Sequence, residues 1–426
     1  MSSFRQQLTG GVGNTECTVT IHKRSATRCA LDQKWMVGSA FLVMFSLLHT
    51  GAANAQSSVT LYGILNGGIE YQTGLPHGNQ LTAETGGWRE SEVGMEGSED
   101  LGGGTKAIFK LEAGIDIQNG ENLSGASYGR EATVGVSNDR FGTLRMGNLG
   151  AYEIQEDSWW IDPQVMHIFG IETLVRGRNW SYASNGFEYE SPTWGGLVLK
   201  GQYDLTNSTT WNAGNPGSGP GQLGGPQGRS DGIKAQYQAA ELGLIAIYDE
   251  IRDPNGGFSN VYVTSRSILG GATYAWGPVK LYGGYQHLSA PNASDEGYFG
   301  SATPTTLPGG VSLPTSVNHE WFGAAWQASA ATSLTAAVYH ANANNGNGNA
   351  TMYSLSGQYN LSKRTSLHAE VAYIHNSSTS NIGLGNGYAD PYGANANNDP
   401  VNGGTNASPD YGHGQLGVFA GILTSF

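Results

Sequence analysis

The sequence predicts an all-β fold: a transmembrane antiparallel β-barrel of 16 strands, with short periplasmic turns and long extracellular loops. Three observations predict it. Segments of about ten residues alternate apolar and polar positions, the length and period of a membrane-spanning strand. The connections between them are alternately tight and long. An export signal stands ahead of the first strand.

The signal comes first in the chain. Residues 36–48 (MVGSAFLVMFSLL) are apolar but too short for a spanning helix, and Lys23, Arg24, Arg28 and Lys34 precede them. Ala53-Asn54-Ala55 supplies the small residues of a cleavage site, so residues 1–55 read as a cleaved signal peptide with an upstream extension, and 56–426 as the barrel. Both cysteines, Cys17 and Cys29, fall before the cut, which removes disulfides, thiolate metal sites and cysteine nucleophiles from the mature chain. The full chain carries a formal charge of -13; residues 56–426 hold 16 basic and 32 acidic residues, a balance that excludes nucleic acid as a partner. The 65 Gly and 21 Tyr, without a collagen period, suit many strands joined by polar loops.

Strands are expected at 59–71, 88–97, 105–116, 129–138, 142–148, 185–191, 195–204, 231–239, 241–249, 265–276, 278–287, 318–328, 332–341, 351–361, 365–375 and 414–426. The third shows the rule: Ala107, Phe109, Leu111, Ala113 and Ile115 alternate with Lys106, Lys110, Glu112 and Asp116. In a soluble sandwich the apolar face is the core. Here several such faces are rich in Gly and Ala and edged with Tyr or Trp, as for lipid contact between interfacial girdles. Tight connections fall at 98–104, 139–141, 192–194, 240, 277, 329–331 and 362–364; long ones fall at 72–87, 117–128, 149–184, 205–230, 250–264, 288–317, 342–350 and 376–413. A closed barrel of this size satisfies its backbone in lipid and leaves an aqueous channel unless something fills it.

The connection 149–184 is the natural constriction, because a structureless stretch of this length is usually functional. It carries Glu153, Glu156, Asp157, Asp162 and Glu172, then Arg176 and Arg178, with Trp159, Trp160 and Trp180 between them as packing groups. On the wall, period two turns Glu92 and Glu96 inward, and the candidate pore-lining set also includes Glu188, Lys106, Lys110, Arg130 and Arg145. Acid in a narrow pore favours cations, so a cation-preferring passage is expected. Pairing of these acids with the neighbouring bases would cancel that field.

Several stretches resemble the general trimeric porins of Gram-negative bacteria, particularly the β-proteobacterial branch. They are Ser58-Val59-Thr60-Leu61-Tyr62-Gly63, residues 97–107 (GSEDLGGGTKA), Asp139-Arg140-Phe141-Gly142-Thr143-Leu144, residues 361–367 (LSKRTSL) and the terminal Phe426. The resemblance implies an outer-membrane homotrimer among lipid and lipopolysaccharide, passive diffusion of small hydrophilic solutes, and a third extracellular loop folded into the pore. It also implies that Phe426 is read by the barrel-assembly machinery. Glu92, Glu96 and Glu188 stand where that family tends to place basic or amide side chains.

No catalytic site, metal site or cofactor is expected. The loop acids have no nucleophile, base and orienting group beside them, and the ten His show no HExxH spacing. An adhesin or receptor barrel, or a substrate-specific channel, stays open as the alternative to general diffusion.

Overall fold

A computed structural model of the chain describes residues 58–75, 78–123, 126–149, 154–165, 168–175, 185–204, 230–252, 256–259, 261–262, 264–293, 314–346, 348–384 and 408–426. The expected signal and its cleavage site lie outside them. Strand segments follow in chain order: β1 (Ser58–Leu75), β2 (Gly78–Thr85), β3 (Glu92–Gly102), β4 (Thr105–Gly114), β5 (Glu131–Asn138), β6 (Gly142–Asn148), β7 (Gly186–Glu190), β8 (Leu197–Asp204) and β9 (Ser230–Gln238). They continue as β10 (Leu242–Ile251), β11 (Arg266–Trp276), β12 (Val279–Ser289), β13 (Ser316–Gln327), β14 (Thr332–Ala343), β15 (Ala350–Asn360), β16 (Thr365–Asn376) and β17 (Gln415–Ser425).

From β3 to β17 each strand pairs antiparallel with the next, and β17 pairs back onto β1, so the sheet closes. Segments β2 and β3 together make one strand: β2 pairs with Gly67–Leu75 of β1 and β3 with Ser58–Ile64. Counted so, the barrel has 16 strands. Its seam is completed by the C-terminus, where Phe426 donates its N–H to Gly63 O at 3.0 Å and accepts the Gly63 N–H at 3.2 Å.

Alternation decides which face meets which medium. On β1, Val59 and Leu61 are 66% and 64% exposed on the outer face, whereas Asn66 and Gln72 are buried on the inner one. Polar groups inside and aliphatic groups outside is the inverse of a soluble β-protein, and it suits a wall facing lipid.

The expected strands match those observed to within a few residues except near the start. The stretch 72–87, expected as a long loop, is mostly strand: β1 runs out to Leu75 and β2 returns from Gly78. Residues 88–91, expected as strand, are not. They belong to a break between β2 and β3 that turns into the lumen.

Candidate pore constriction

The connection after β6 folds inside the barrel and lies along the inner wall. Ile154–Ile161 forms a 3-10 helix and Glu172–Val175 one turn of α-helix, α1. Side chains of the loop seat over glycines of five strands of the wall: Ile154 on Gly232 of β9, Trp160 on Gly243 of β10, Ile161 on Gly271 of β11, Pro163 on Gly323 of β13 and Phe169 on Gly417 of β17. A Cβ at Gly417 would stand 2.6 Å from the Phe169 ring, far inside contact distance. These glycines are sockets that let the loop lie flat on the sheet. Ile154, Ile161, Ile168, Phe169, Ile171 and Leu174 are buried in one cluster with Ile245, Leu269, Trp321, Met352, Ile374 and Phe419 of the wall.

Polar ties fix the same path. Trp321 Nε1 donates to Ile161 O at 2.9 Å, and Tyr339 Oη donates to Asp162 Oδ1 at 2.5 Å. The other Asp162 oxygen accepts the Ile171 N–H at 3.1 Å, and Oδ1 also accepts that of Gln164. Gln164 bridges β15, donating to Ser354 Oγ at 2.8 Å and accepting from Ser356 Oγ at 2.6 Å. Val165, a β-branched residue, is held at φ 53, a left-handed conformation such residues avoid and which the flanking anchors impose.

The break between β2 and β3 meets this loop. Its Gly87 carbonyl accepts the Ile168 N–H at 2.8 Å. Trp88 stacks on His368 with centroids 4.8 Å apart, and His368 on Phe419 at 5.5 Å. Ser91 Oγ accepts from Asn66 N and donates to Asn66 O, turning the chain back into β3.

The opposite arc of wall, β3 to β9, carries a ladder of charge. Arg130 pairs with Glu90, with Glu92 at 3.0 Å and with Glu112 at 2.8 Å. Lys110 joins Glu112 at 3.0 Å to Glu131 at 2.9 Å, and Arg145 joins Glu131 at 2.8 Å to Glu188. Lys200 extends the ladder from Glu188 to Asp157 of the loop at 3.0 Å, where Lys234 also arrives at 2.6 Å. Arg89 adds a pair with Glu92, and Lys200 a long one with Glu190. Among the described residues six bases thus face seven acids, so this part of the ladder is close to neutral. Burial alone would raise the Asp157 carboxyl, but Lys200 and Lys234 outweigh it and hold the group below the usual carboxylate range.

The expected pore-lining residues are distributed as follows. Glu92, Lys110, Arg130, Arg145, Asp157 and Glu188 come together in the ladder. Glu96 and Lys106 take inward positions on β3 and β4, exposed and outside the ladder's pairs. Asp162, expected at the pore surface, is instead fully buried between loop and wall, where Tyr339 Oη and the backbone N–H groups of Gln164 and Ile171 donate to its carboxylate. Glu153, Arg176 and Arg178, and the side chains of Glu156 and Glu172, lie outside the described residues. Glu112, Glu131, Lys200 and Lys234 were not expected in the site, although the alternation that located Glu92 also turns them inward. Among the described residues no group of three or more His, Cys, Asp or Glu is placed to hold a metal ion.

Comparisons with known proteins agree with this geometry. Residues 38–379 match the family described as Gram-negative porin. The outer membrane porin protein 32 of Delftia acidovorans is 29% identical over 81% of this chain and 92% of its own length. An outer membrane porin protein of Bordetella pertussis is 26% identical over 81% of this chain and 94% of its own. Among solved structures, an anion-selective porin from Comamonas acidovorans superposes with a TM-score of 0.66 at 23% identity, over 87% of this chain and all of that one. An outer membrane protein of Vibrio cholerae in its trimer form gives 0.54 at 14% identity, over 87% and 99%.

Proposed function

The chain belongs to the Gram-negative porin family and forms an outer-membrane channel, and from that premise we propose that small hydrophilic solutes and ions diffuse passively between its constriction loop and its charge ladder. The observation that carries this reading is the loop's position. It lies inside the barrel along β9 to β17 and leaves the polar ladder as the other side of the passage. A passage bounded by a wall of paired ions favours water and small polar solutes over lipid-like ones.

The expected cation preference is not supported. It rested on the loop acids together with Glu92, Glu96 and Glu188; Glu92, Glu188 and Asp157 are neutralised within the ladder, Asp162 is buried against Tyr339, and the anion-selective porin from Comamonas acidovorans shares this fold. Paired charges act as dipoles whose field falls off faster than that of isolated ions, so the ladder orders water without strongly sorting ions. In a planar bilayer with a KCl gradient the permeability ratio is expected within about three-fold of unity. No conductance at all would overturn the channel reading, and strong cation selectivity would overturn the account of the ladder.

We further propose a homotrimer packed through the outer faces of β1 to β6. The exposed large residues on these strands are aliphatic, among them Val59, Leu61, Val134, Val136 and Met146. From β7 onward aromatics appear, including Tyr189, Trp276, Trp326, Tyr353 and Tyr359, as befits a lipid interface. Cross-linking of the membrane-extracted protein should yield trimers, and Val134→Arg should reduce them.

A further inference from the structure

One inward-facing base is held unlike those of the ladder. Lys280 lies near the start of β12 and shares its inner face with Tyr282 and Gln286, both buried. Its ammonium stands 4.8 Å from the centroid of the Tyr282 ring and 5.8 Å from that of Trp160. None of the ion pairs among the described residues includes it. Trp160 belongs to the constriction loop, and its ring is seated on Gly243, so Lys280 sits where the loop meets the wall beyond the ladder's arc.

The chemistry of these partners matters. A ring face attracts a cation through its quadrupole but brings no net negative charge. Each ladder base faces one to three carboxylates, whereas the charge of Lys280 is left uncompensated. Its field therefore extends into the passage over about one screening length, ~8 Å at physiological salt. Glu96 and Lys106, inward on β3 and β4 and outside the ladder's pairs, carry one charge of each sign. We infer that Lys280 is a selectivity-determining residue, which raises the permeability of small anions relative to cations while the loop and ladder set the width. The inference rests on the channel reading above.

The test uses full-length protein purified from outer membranes and reconstituted in planar bilayers under a KCl gradient, with chloride and potassium as the probes. Lys280→Met should lower the chloride-to-potassium permeability ratio by about two-fold, and Lys280→Glu by about four-fold, the effect of one and two unit charges acting through water at this range. Lys280→Arg should leave the ratio where the wild type has it. The graded response separates charge from packing, because a merely structural role would make Met and Glu alike and would not spare Arg. Should Lys280→Met fail to assemble, the same comparison is read from Lys280→Gln and Lys280→Glu. Conducting channels whose reversal potential ignores the charge at 280 would overturn the inference alone. Loss of all conductance in the wild type would instead overturn the channel reading.

Discussion

Arg130 reaches three carboxylates, those of Glu90, Glu92 and Glu112, and its side chain is only 13% exposed. Replacing it by Gln leaves three acids side by side without their shared counter-ion. The expected outcome is a shift of the reversal potential towards cation preference, with a stability loss of about 1–3 kcal/mol in urea unfolding. Asp157 gives a pH dependence whose sign follows from its lysines. Its carboxyl is charged further down the pH scale in the folded chain than in the unfolded one, so the tether it makes stabilises at neutral pH. That contribution is lost only as acid titrates the folded group, below the ordinary aspartate value of about 3.9. Single-channel noise should accordingly stay constant from neutral pH down to about pH 4 and rise below it. In Asp157→Asn that acid-induced rise should be missing and the noise already high at neutral pH.

At the scale of the element, the loop is an insert held by sockets and anchors. Asp162→Ala removes three hydrogen bonds, from Tyr339, Gln164 and Ile171. The loop should loosen from the wall, and unitary conductance should rise or flicker by roughly 1.3- to 2-fold. Gly417→Val should act similarly from the wall side, because a side chain there occupies the place of the Phe169 ring. An unchanged conductance in both variants would mean that the loop does not set the pore width. The existence of the loop was legible in the sequence because its length between two alternating strands demanded an explanation. Its path was not, since the signal lies in single glycines on five distant strands, which in a Gly-rich chain look like any others. The break at Gly86–Ser91 was missed for a related reason: Trp88, Arg89 and Glu90 continue an alternating pattern, and only the pairing of Gly67–Leu75 with β2 shows that the strand is interrupted. Asp162 was misplaced because a polar residue in a polar loop carries no mark of whether it faces water or Tyr339.

For the molecule as a whole, closure depends on the last residue. Phe426 exchanges two backbone hydrogen bonds with Gly63, and its ring covers that glycine. Deleting Phe426 removes bonds and ring together, whereas Phe426→Ala removes the ring alone. Heat-modifiable folded protein in outer-membrane fractions should fall in both, and further in the deletion; equal folded yields across all three would rule out a role for the terminus in closure. The order of the strands, their alternation and the count of 16 followed from period two, a rule that every strand obeys independently of its partners. Charge pairing did not follow from it, since which acid meets which base depends on register and side-chain reach. The division of the lumen between a loop packed onto one arc of wall and a ladder of paired charge on the other has a consequence for how such a channel changes over generations. Insert and ladder meet at Asp157 and its two lysines, so a lineage can rewrite the pairing of the ladder without moving the insert, whereas any change of the insert at Trp160 alters the aperture and the surroundings of Lys280 together.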